Sequence, residues 1–164
     1  NHFECMERAM FSMFRHKALV VVSLVCLPVA VSIAREIPVS VGNNYDFSLT
    51  CKTGNFIGVV EGTAGRHFQT GKWVQTNRYK ITRINGQSGG NKANVNLSAG
   101  KAPNFDRGNM VYSPDRMIQD GKWHDLKLMR QNLAAGNSKV EASYEFIFDK
   151  SGYDPSCWTE SLSF

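Results

Sequence analysis

From Tyr45 onward apolar and polar residues alternate. Tyr45, Phe47, Leu49 and Cys51 fall on one side of an extended segment, and Asp46, Ser48 and Thr50 on the other. A period of two marks a strand with one buried and one wet face, and it points Cys51 inward. Thr53-Gly54-Asn55 reads as a turn and residues 56–61 as a second, more apolar strand, so the two form a hairpin. Residues 62–71 read as loop, with Gly62, Gly65 and Gly71 as breakers. Residues 73–85 are β-rich, but the alternation slips between Trp73 and Tyr79, which predicts a bulge there. Beyond the slip, Tyr79 and Ile81 point in, and Arg78, Lys80 and Thr82 point out.

Residues 86–91 read as a flexible turn. Residues 92–98 alternate cleanly, with Ala93, Val95 and Leu97 on one side. Residues 100–120 form a long connection holding Pro103, Gly108 and Pro114, with a short strand at 110–112. Asp120-Gly121 is a turn, and 123–130 follows as a strand. Residues 133–138 read as a single helical turn or a loop. Residues 139–149 carry the clearest stripe of all: Val140, Ala142, Tyr144, Phe146 and Phe148. Trp158, Leu162 and Phe164 end the chain with another. After residue 35 no segment keeps a helical apolar period for three turns. Stripes of this kind must pack against a second sheet or close on themselves. The expected fold is all-β: an antiparallel β-sandwich or small closed β-barrel of 7–8 strands.

The N-terminal pattern is different. Arg15, His16 and Lys17 precede the apolar run ALVVVSLVCLPVAVSIA at 18–34, and Ser32 and Ala34 put small residues just ahead of Arg35. A basic head, an apolar middle and a small-x-small exit describe a secretory signal peptide. The run is short for a membrane span, which takes ~20 residues, and Pro28 near its end argues against an anchor. Cys26 lacks the small preceding residue that lipidation needs. Residues 1–34 therefore read as an N-terminal extension plus signal peptide (core 13–34), and residues 35–164 as a single β domain. The expected location is exported, periplasmic or extracellular, with no stable membrane span after cleavage.

Downstream of residue 35 only Cys51 and Cys157 remain. An even pair in an exported chain reads as a disulfide. The same region carries 16 Lys and Arg against 12 Asp and Glu, a net charge of +4. Between Gly62 and Phe105 there is no acidic residue, while Arg66, Lys72, Arg78, Lys80, Arg83, Lys92 and Lys101 all fall there. The flanks are net negative. The middle third is thus a cationic segment in a near-neutral protein. The bland reading is a solvated face whose positive groups pair with acids from later strands.

Motifs for catalysis fail on context. Gly86-Gln87-Ser88-Gly89-Gly90 matches Gly-x-Ser-x-Gly, but no helix follows and no Asp lies between His67 and Ser88, so a small-residue turn is the better reading. His124 and Asp125 are neighbours on a predicted strand and point to opposite faces. His124 shares its face with Leu126 and Leu128, as a packed or rim residue would. With two histidines after residue 35 and both cysteines paired, no zinc spacing appears, and no calcium loop does either. No cofactor and no metal is expected.

The run Asp120-Gly121-Lys122-Trp123-His124 through Leu128 resembles the Asp-Gly-x-Trp-His strand start of laminin-G-like, lectin-type sandwiches. The resemblance spans nine residues and implies a sandwich, without a sugar site.

Three functions follow as expectations. The first is a non-enzymatic exported binding protein, of inhibitor or immunity type, docking an acidic protein, an anionic glycan or an envelope surface on a basic face of Arg66, Lys72, Arg78, Lys80, Arg83 and Lys92. The second is a glycan-binding module with Trp73, Trp123 or Trp158 as a stacking platform. The third is a small secreted hydrolase using His124 with a distant acid. Export and the modest net charge argue against nucleic acid.

Overall fold

The computed structural model describes residues 34–102 and 110–164. All but the last residue of the apolar run read as a signal peptide, and residues 103–109 of the long connection, lie outside them. Among the described residues eleven strands run in chain order: β1 (Arg35–Glu36), β2 (Tyr45–Thr53), β3 (Phe56–His67), β4 (Gly71–Arg83), β5 (Asn94–Lys101), β6 (Met110–Val111), β7 (Trp123–Asp125), β8 (Met129–Arg130), β9 (Val140–Ile147), β10 (Ser156–Trp158) and β11 (Leu162–Ser163). One sheet has the order β1-β11-β9-β5-β6, with β10 also pairing β9. The other has the order β2-β3-β4-β7, with β8 also pairing β4. Among the described residues no strand ladder joins the two sheets, so the architecture is sandwich-like and not a closed barrel.

The two stripes face each other across the core. Phe47, Leu49, Val60, Val74 and Ile81 of one sheet are buried against Val95, Leu97, Tyr144, Phe146 and Leu162 of the other. Phe56 stacks on Phe148 with ring centroids 4.9 Å apart. The Thr76 hydroxyl donates to the Tyr144 hydroxyl at 3.0 Å, a polar link from β4 to β9 inside the core. Burial pushes the Tyr144 phenol far above its ordinary pKa. Cys51 on β2 and Cys157 on β10 are bonded, so the predicted disulfide cross-links the two sheets.

Four expectations change. Seven or eight strands become eleven because six of them are two or three residues long, too short to show a period. The sheets are antiparallel except where β1, which lies ahead of the first expected strand, pairs β11 in parallel. Residues 62–67, read as loop, continue β3, and only 68–70 turn the chain. Gly62 and Gly65 are strand glycines: the Phe47 ring lies over the first and the Trp73 ring over the second, where a Cβ would collide. Finally, the single strand expected over 123–130 is split into β7 and β8. The cause is the bulge predicted in β4. Glu61 pairs Arg78 while Gly62 pairs Thr76, leaving Asn77 as the extra residue. The displaced Asn77 carbonyl takes the Leu126 amide at 3.1 Å, between the two short ladders.

Candidate functional site: cations at one end of the sandwich

The residues named from the cationic segment separate into three places. Arg78 and Lys80 lie on the outer face of β4, as their parity requires. Trp123 of β7 pairs Lys80. Its ring centroid is 4.6 Å from the Arg78 guanidinium carbon and 4.8 Å from the Lys80 ammonium. Arg78 is already matched, with Nε donating to Glu61 at 2.7 Å and Asp125 opposite it on β7. The outer face is therefore locally balanced, and its charge motive for docking is weak.

Arg83 and Lys92 sit at the far end of β4 and the start of β5. The Arg83 guanidinium donates to the Gly89 carbonyl, which fixes the 86–90 turn. The Lys92 amide donates to Asp149 at 2.8 Å. Neither side chain lies near Arg66 or Lys72. The distance along β4 from Lys72 to Arg83 is ~35 Å at strand rise.

The third place is the opposite end, around the β3–β4 hairpin. Arg66 and Lys72 are direct cross-strand partners, and both follow the parity of the core stripe, so they reach into the gap between the sheets. Lys72 is only 6% exposed. Its pKa is lowered, first by burial, then by Arg66 and by Lys139 from the other sheet; Glu36 works the opposite way. Lys139 bonds Glu36 at 3.1 Å. Lys101 ends β5 as the partner of Val140, next to Lys139. Arg130 of β8 crosses the gap to the Ala99 carbonyl at 3.5 Å. Five cations thus gather in the last rows of the two sheets, together with two described side-chain carboxylates, Glu36 and Glu141, which stand in one row on either side of Ser163. Two like charges directly opposite one another on a ladder oppose folding, so Arg66 and Lys72 carry charge that the fold itself does not use.

At the hairpin tip Phe68 is 87% exposed. A three-residue connection, Phe68-Gln69-Thr70, is closed by Gly71 at φ 80°, a conformation costly for other residues. A Cβ on Gly71 would strike the Ala134 carbonyl, and the 133–134 backbone bonds Lys72 at 2.9 and 3.0 Å. The tip is therefore held from the side. Val41, 49% exposed, bridges to Arg66.

The three tryptophans share no platform. Trp73 is buried, stacked on His67 at 5.7 Å over Gly65. Trp123 is occupied by its two cations. Trp158 is half-buried on the other sheet, opposite Glu145.

His124 stacks on Tyr79 at 5.5 Å, and its Nε2 lies 2.8 Å from Asp120 Oδ1. That oxygen also accepts the Lys122 amide at 2.9 Å, and the pair of bonds holds the Asp120 carboxyl below its ordinary pKa. With Gly121 at φ 76°, the Asp-Gly-x-x-His run is a locked turn feeding β7. Among the described residues no hydroxyl or thiol is hydrogen-bonded to His124, and Ser88 is exposed in its turn. Nor do any three His, Cys, Asp or Glu among them gather as a metal site, and no helix there is long and apolar enough to cross a membrane.

The sequence pattern missed Phe68, Lys139, Arg130 and Glu36. An apolar residue between Arg66 and Lys72 in a turn was a readable sign for Phe68. The others come from distant segments and meet the hairpin only when the sheets stack. No family model, curated protein or solved structure matches this chain.

Proposed function

We propose that this chain is an exported, non-enzymatic binding protein that docks an anionic partner on the basic end of its sandwich. The observation that carries the reading is the gathering of five cations, Arg66, Lys72, Lys101, Arg130 and Lys139, against two side-chain carboxylates, Glu36 and Glu141, with Lys72 nearly buried against its like. An anion placed there would relieve a repulsion that the folded chain retains. The Cys51–Cys157 bond supports an oxidising, exported setting. The outer face with Arg78 and Lys80 supports it less, because Glu61 and Asp125 stand in the same row.

Heparin serves as a generic polyanion for the test. Binding followed by calorimetry weakens steeply with added salt, and Arg66→Glu with Lys139→Glu lowers affinity roughly tenfold or more. Arg78→Glu with Lys80→Glu changes it by less than about threefold, since those charges are locally matched. Salt-insensitive binding, or a loss that follows Arg78 and Lys80 instead, sinks the proposal.

A further inference from the structure

Phe68 projects from the same end that gathers the cations. It is the tip residue of a hairpin whose strands are 12 and 13 residues long, and it is braced at Gly71 and Lys72 by the 133–134 backbone. At 87% exposure the ring is covered by almost nothing in the fold. Building on the anionic-docking reading, we propose that the partner is an anionic bilayer surface, with Phe68 inserted below the headgroups and Arg66, Lys101 and Lys139 set against their phosphates.

Two features favour a bilayer over a folded acidic protein. Phe68 is a protrusion, not a groove. A rigid partner would need a pocket shaped to receive it, whereas the headgroup region yields to an aromatic ring and takes its apolar surface out of water. The depths also agree. Phe68 lies two residues beyond Arg66, about 7 Å at strand rise, and interfacial apolar groups sit ~5–10 Å into the headgroup boundary. With the ring at that level, the cations of the last strand row meet the phosphates. Val41, exposed beside Arg66, adds a second apolar contact at the rim. The attraction is the ordinary one between clustered Lys and Arg and anionic lipid, and it falls off within a Debye length.

The test reads position 68 itself, in the full chain, so that residues 1–34 cannot supply the signal. Phe68→Trp is titrated with phosphatidylcholine vesicles, with and without phosphatidylglycerol, some with acyl chains brominated to quench nearby indoles; the unsubstituted chain gives the background of the three native tryptophans. The expected result is a blue shift and quenching at residue 68 only with phosphatidylglycerol present, weakened by salt. In the Phe68→Trp background, Arg66→Gln and Lys139→Gln each lower the apparent partition roughly fivefold. Lys52→Gln with Lys150→Gln, at the far end of the sandwich, changes it by less than about twofold. An equal shift on neutral vesicles, no shift at all, or equal losses from the far-end pair overturns the inference. If heparin still binds while residue 68 never enters the vesicles, the lipid assignment is wrong and the anionic docking reading survives. If both fail, the basic end is not a docking site.

Discussion

A lysine loses hydration when it is buried, and its charged form suffers most when the neighbours carry the same sign. Lys72 is in that position, with Arg66 across the ladder and Lys139 arriving from the other sheet. Its folded pKa is lowered from 10.5. The folded chain thus binds fewer protons than the unfolded chain between the lowered value and 10.5, and stability attributable to this residue rises with pH through that window. Below the window the penalty is present in full. Lys72→Met removes the charge and keeps an apolar stem of similar length. At neutral pH the variant is expected to be more stable by ~0.2–1 kcal/mol, the scale of a like-charged cross-strand pair. The difference shrinks as pH approaches 10.5. Urea midpoints of the two chains, compared pH by pH, measure this. A variant less stable than the parent at neutral pH would mean that Lys72 makes a favourable contact outweighing the repulsion.

At the scale of the strand, β3 shows why part of the fold was legible and part was not. The side chains of β2 and β5 alternate without interruption, those of β9 break only at Ile147, and each strand was placed from its stripe alone. β3 places Gly58, Gly62 and Gly65 where other strands carry side chains, and the last two were taken as breakers. Their function is spatial. Phe146 from the opposite sheet fills the volume above Gly58, and Phe47 fills that above Gly62. A pattern of residue types does not reveal a ring donated by another strand. The bulge at Asn77 was readable as a slip in β4, but its effect on the partner, the break between β7 and β8, was not, because that depends on which strand lies alongside. Gly58→Val tests the packing claim. Its side chain would occupy the Phe146 ring position in a strand whose backbone accepts valine well, so steric crowding and β-propensity pull in opposite directions. Crowding is expected to win by about 1–3 kcal/mol of lost stability, seen as a lower urea midpoint. A neutral or stabilising result would place Phe146 elsewhere.

For the whole molecule, the disulfide and the basic end are set at opposite ends of the same strands. Cys51 pairs Gly58 near the β2–β3 turn, and Arg66 lies at the other end of β3. The two cysteines after residue 35, the one pair left once residues 1–34 are read as a signal peptide, made the bond legible early. The basic end was only half legible, since Arg66, Lys72 and Lys101 lie in one acid-free segment but Arg130 and Lys139 join them through the stacking of the sheets. This separation makes the two properties experimentally independent. The bond closes a loop with a sequence separation of 106 residues. In the chain-entropy model that is worth at most ~4–5 kcal/mol, acting on the unfolded chain. Cys51→Ser with Cys157→Ser is expected to lower Tm by on the order of 15 °C, and added reductant should bring the parent chain to the same Tm while leaving the variant unmoved. At a temperature where the variant remains folded, heparin affinity should stay within about twofold of the parent, because the cations are positioned by the β3–β4 ladder and the far core, with distant sites close to additive. Loss of affinity in a folded, disulfide-free chain would show that the cross-link, acting along the length of the sandwich, sets the spacing of the sheets at the end where Lys72 meets the charge of Lys139.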